Sequence, residues 1–180
     1  GLSGTAGRKM RESRTRAELT AIATAIESYK AKFGHYPPDN PKDPALNSPY
    51  YELTGCLYSP ARKTFRDPKV GTVMKVQAIK EHFGVEGFIN TARTERELKK
   101  FYEPTSKTVR HISEEHGDSD AGEGHVKNHS DEVHVLCVPV PWPLGRDDHP
   151  GRHHGKVAKG INPWRYVAGK SAVHNRGKYD

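Results

Sequence analysis

The sequence predicts an α+β fold: a long N-terminal α-helix packed on a small antiparallel β-sheet, with long loops between the elements. Three observations carry this expectation. Apolar residues recur at helical spacing up to Phe33, and valines alternate along 133–140. The 180 residues include 17 glycines and 13 prolines, with only 33% hydrophobic content. A globular domain ordinarily has ~45–50% on a count that includes glycine, so the core should be thin. One domain, 1–180, is expected in three parts: a helix at 8–34, a variable loop and helix region at 35–130, and a sheet region at 131–180.

Leu19, Ile22, Ile26, Tyr29 and Phe33 are spaced by 3, 4, 3 and 4, which makes one apolar stripe on a helix. These five are the residues expected to face the sheet, with Glu18, Glu27, Lys30 and Lys32 left in water. Gly34 suits the position just past the helix, and Lys30, Lys32 and His35 suit the negative end of its dipole. Pro37, Pro38 and Pro41 forbid continuation.

The start of the helix admits two readings. Thr15 and Glu18 could form a capping box. Alternatively the helix runs further upstream, and Arg8, Lys9, Arg11, Arg14 and Arg16 lie mid-helix, where the dipole is indifferent to them. We prefer the second reading, with the chain as the lower part of a longer helix.

A short apolar element, Tyr50–Leu57, follows Ser48 and Pro49, a cap and first helical residue. Residues 59–129 look weakly organised, apart from a short helix where Thr94 and Glu97 match a capping box. Glu114–His129 reads as a polar loop. Val133–Val140 is the best strand, limited by Pro139, Pro141 and Pro143. After the basic loop 146–160, Asn162–Val167 reads as a turn into a strand.

The stretches Arg14–Ile22, Ile26–Lys30 and Gly34-His35-Tyr36-Pro37-Pro38 resemble bacterial type IV pilin-like proteins, above all the major pseudopilins of type II secretion systems. A weaker match joins Asn162–Tyr166 with His174–Asp180. Together the matches cover about a third of the chain, and 59–130 match nothing. The resemblance implies a pilin-like fold and a non-enzymatic subunit of a pseudopilus, a filament that drives protein export. It implies assembly with copies of itself and other pseudopilins on an inner-membrane platform. It also implies an apolar N-terminal membrane segment of roughly 20 residues, absent from this chain, with the globular part in the periplasm. The family's calcium loop is likewise not present in this chain, so no cofactor is carried over.

Lys and Arg total 29 against 22 Asp and Glu, a formal charge of +7. This permits contact with nucleic acid or anionic lipid without establishing either. No stretch approaches the ~20 apolar residues that span a bilayer. The cluster Arg8, Lys9, Arg11, Arg14 and Arg16 could meet a neighbouring subunit, lipid or DNA, or stay solvated. DNA, as in a pilin-like uptake protein, is the weaker choice, since no aromatic residues interleave for base stacking.

Among the 11 histidines, His125 and His129 lie four apart, and His149, His153 and His154 are close. They sit in glycine-rich loops without cysteines, so a His-rich metal-binding domain is only an alternative. Asp118, Asp120 and Glu123 give an incomplete calcium order. No nucleophile elbow, phosphate-cradling loop or catalytic carboxylate pair stands out, so neither an enzyme nor a small-molecule substrate is expected. Cys56 and Cys137 fit either one disulfide or two buried thiols.

Overall fold

The structure is a computed structural model that describes residues 2–41, 43–44, 46–105, 108–112, 133–140 and 162–168. The chain is α+β, as expected, with an N-terminal helix and a small four-stranded sheet. The expected loop at 114–129, the basic loop 146–160 and the motif at 174–180 lie outside the described residues. So do His125, His129, His149, His153, His154, Asp118, Asp120 and Glu123.

Helix α1 spans Leu2–Phe33, about 48 Å at 1.5 Å per residue. Thr15 is therefore an interior helical residue, not a cap. The helix stops as its sequence demands: Gly34 adopts φ +81°, which costs glycine nothing, and its N–H donates to Lys30 O at 2.8 Å.

Helix α2, Pro49–Thr54, starts where Ser48 and Pro49 place it, but Ser48 Oγ donates to Pro38 O instead of capping. Gly55, at φ +83°, ends this helix earlier than its apolar run suggests. Cys56 therefore belongs to a strand and not to α2.

Within 59–129, the described residues 59–105 and 108–112 are more ordered than their composition indicates. Strands β1 (Cys56–Ser59), β2 (Thr64–Arg66) and β3 (Val73–Lys75) form a meander that leads into helix α3 (Val76–Phe83) and strand β4 (Thr91–Ala92). The sheet order is β3-β2-β1-β4. β1 pairs antiparallel with β2 and β2 with β3, but β1 pairs parallel with β4, so this sheet is mixed rather than antiparallel. The parallel pairing is possible because α3 supplies the crossover. Strands this short carry too few residues for alternation to show in the sequence. The match at Thr94 and Glu97 yields only a 3-10 turn, Glu95–Glu97, with no side-chain cap.

Strands β5 (Val109–Ile112) and β6 (Val133–Leu136) form a second, antiparallel pair. The expected strand is thus real, but Val133–Cys137 are all buried, so it is covered on both faces. The expected strand after Asn162 is reduced to one bridge, Cys137 with Pro163. Asn47 seals β6 further: its Oδ1 accepts from Leu136 N–H at 3.2 Å and its Nδ2 donates to Leu136 O and Trp164 O.

One core unites both sheets with the three helices. Ile22 and Tyr29 of α1 meet Tyr50, Tyr51 and Leu53 of α2, Phe65 and Met74 of the sheet, Ile79 and Phe83 of α3, and Val133 and Val135 of β6.

Candidate assembly surface

Within α1, none of residues 4–21 is buried. This stretch is ~27 Å of helix, and most of its side chains, Glu18 apart, are exposed. Arg8 Nε donates to Glu12 Oε1 at 3.0 Å, while Lys9, Arg11, Arg14 and Arg16 make no ion pair among the described residues. All five cations are exposed. The structure therefore brings the predicted cluster together on one projecting helical segment.

The lower turns of α1 are firmly held. Ile22 and Tyr29 are buried, and Ile26 and Phe33 pack half-buried against the core. Leu19 does not join them: it is 51% exposed, a correction to the predicted stripe. Among the described elements, the principal neighbour of α1 is α2. α2 has six residues, about 9 Å of helix, and so reaches only the last turns of α1.

The covered face is rotated by one residue, so Glu18 and Ala25 lie on it. Ala25 is 3% exposed. Glu18 Oε1 is out of solvent with no hydrogen-bond partner among the described residues, and burial pushes its carboxyl up. The sequence places Glu18 in water; the rotation of the stripe is the signal it hides.

The anchor is a buried carboxylate. Glu52 on α2 accepts from Tyr29 Oη at 2.9 Å, from Ile89 N–H at 2.8 Å and from Asn90 N–H at 2.9 Å. Asn90 Nδ2 returns a bond to Glu52 O and another to Lys99 O. Burial raises the Glu52 carboxyl; the hydrogen bonds and nearby His35 oppose it, with burial the stronger. Burial also drives Tyr29 up, aided by the Glu52 charge. The Tyr29, Phe33 and Phe101 rings close round this point with centroids 4.5 to 6.0 Å apart.

The Tyr36-Pro37-Pro38 turn is clamped onto the helix and the C-terminal segment. Tyr36 Oη donates to Glu27, Lys30 Nζ lies 4.2 Å over the Tyr36 ring, and Tyr166 Oη donates to Pro37 O.

Cys56 and Cys137 are both buried and both thiols, so the candidate disulfide is not formed. They belong to different sheets, Cys56 to β1 and Cys137 to the end of β6. Burial pushes the Cys56 thiol well up, reinforced by Asp67 and Glu52.

A crevice of about 190 Å³ lies between Thr54, Asp67, Lys69, Lys100 and Tyr102. Ligand clefts usually measure ~300–1,000 Å³. Its Asp67 carboxylate is engaged by Tyr50 Oη and two backbone N–H groups, and Glu95 and Glu103 also line it. No group of three metal-ligating side chains exists among the described residues, and no described helix is long and apolar enough to cross a membrane.

No family model, curated protein or solved structure matches this chain.

Proposed function

We propose that the chain is a structural subunit of a helical filament of the pseudopilus type, serving protein export in a bacterial type II secretion system. The observation that supports this most is the largely exposed segment 4–21, continuous with a helix end that is tightly anchored. Gly4 and Gly7 each weaken the helix by up to ~1 kcal/mol relative to alanine, and little in the described chain packs on this segment. In a filament, neighbouring subunits supply the missing packing. Arg8, Lys9, Arg11, Arg14 and Arg16 then meet acidic residues of the next subunit or lipid headgroups.

The work is mechanical and needs no cofactor or substrate pocket. An apolar segment preceding this chain anchors the subunit in the inner membrane, with the globular part in the periplasm. The sequence resemblance at Arg14–Ile22 and Gly34–Pro38 supports this more specific assignment.

A second reading draws on the four unpaired cations of the helix: a pilin-like protein that binds DNA for uptake. Photo-crosslinkers placed at Met10 and Leu19, both exposed, separate the two in cells. Homotypic ladders support the filament, crosslinks to DNA alone support uptake, and neither product overturns both.

A further inference from the structure

The β2–β3 hairpin buries one face and leaves cations on the other, while on β1 Leu57, the register partner of Arg66, is buried. Phe65 of β2 and Met74 of β3 are register partners, and both are buried. The adjacent partners, Arg66 and Val73, are both exposed. Side chains alternate along a strand, so Thr64 and Lys75, also register partners, share the outer face with Arg66 and Val73. The turn entering β2 adds Arg62 and Lys63, exposed beside that end of the sheet. The turn between β2 and β3 adds Val70, 54% exposed, while Val73 is 41% exposed.

The charge here is one-sided. From Cys56 to Lys75 the chain has five cations and one carboxylate. That carboxylate, Asp67, is buried and bonded to Tyr50 Oη at 2.6 Å. Lys69 is turned to Pro104 O at 2.6 Å and to Glu103. Arg62, Lys63, Arg66 and Lys75 make no ion pair among the described residues. The acids of neighbouring elements make no ion pair with them among the described residues. Glu81 accepts from Gln77 and Glu86 pairs with Lys80. Glu97 follows β4, at the edge opposite β3, while Glu95 lines the crevice beside Pro68 and Lys69, near the end of β2.

The geometry points to this face as a docking surface for an anionic phospholipid bilayer. Cations set round exposed aliphatic side chains match such a surface: ammonium and guanidinium groups meet headgroup phosphates while valines reach the acyl boundary. Nucleic acid fits less well. It has phosphates but nothing to receive Val70 and Val73, and this face carries no aromatic ring on which a base could stack. The site is separate from the helix cluster and does not depend on the filament reading.

The test is vesicle flotation of the full chain with phosphatidylglycerol/phosphatidylcholine vesicles, phosphatidylcholine vesicles and a labelled DNA duplex. The chain is expected to float with the anionic vesicles, less at high salt, and not with neutral ones. Arg66→Gln with Lys75→Gln should weaken this binding by roughly 30-fold. Val70→Thr with Val73→Thr, which leaves the charge unchanged, should weaken it by about fivefold. Arg11→Gln with Arg14→Gln removes the same charge from the helix and should have a smaller effect. Unfolding curves check that each variant is folded. The proposal is overturned if the native chain ignores anionic vesicles, if the sheet and helix variants lose binding equally, if the valine variant binds unchanged, or if DNA is bound more tightly than the vesicles.

Discussion

Tyr29 and Glu52, 23 residues apart, are joined by a 2.9 Å hydrogen bond at a point where neither side chain reaches water. This bond is where the long helix becomes part of the domain. Glu52 also holds the Ile89–Asn90 backbone, so one carboxylate ties α1, α2 and the approach to β4 together.

Tyr29→Phe keeps the ring packing and removes only the hydroxyl. Because the acceptor is a buried carboxylate, the loss should be about 1.5–3 kcal/mol in urea unfolding. A change below about 0.5 kcal/mol would show that the bond does not fix the helix.

Glu52 gives a pH signature. Its carboxyl is raised in the folded state, so the native chain keeps that proton to higher pH than the unfolded chain does. Between the unfolded value, about 4.3, and the raised one, the native state binds more protons, and stability from this group falls as pH rises. Its contribution is full below the unfolded value and lost on passing the folded one. Glu18 acts in the same sense. The stability difference between wild type and Glu52→Gln should therefore shrink from pH 4 to pH 7. A difference that grows with pH would reverse the assignment.

The rotated stripe on α1 is tested by two truncations. Ile22→Ala, at a 7% exposed position, should cost about 2–4 kcal/mol. Leu19→Ala should stay within about 0.5 kcal/mol for the isolated chain. Equal costs would restore the original stripe.

Gly87 is fixed by close approach. A Cβ there would lie 2.7 Å from Phe65 Cζ, and Phe65 is itself packed between Tyr58 and Phe88. Gly87→Ala should cost about 1–3 kcal/mol by thermal unfolding. A neutral result would mean that the Phe65 ring has room to move.

The cysteines should behave as inert core residues. Mass spectrometry should give the same mass with and without reductant. Iodoacetamide at neutral pH should leave Cys56 unlabelled until denaturant is added, since its thiol is buried and its pKa raised. Rapid native labelling of Cys56, or a mass two hydrogens lower before reduction, would contradict this.

The sequence by itself determined the elements whose signals are local. The stop of α1 needs only Gly34 and the following prolines, the start of α2 only Ser48 and Pro49, and the run of valines marks β6. It also placed Arg8, Lys9, Arg11, Arg14 and Arg16 on one helix. Tertiary structure alone decided which helical face is covered, because that depends on how far the short α2 reaches. It decided the mixed sheet, because the two-residue β4 owes its existence to a partner distant in the chain, as Thr91 does to Cys56. It decided that Glu52 lies inside, where Tyr29, Ile89 and Asn90 converge from separate elements. A carboxylate is tolerated in such a place only when donors are brought to it, and no pattern within the helix that carries it can announce them.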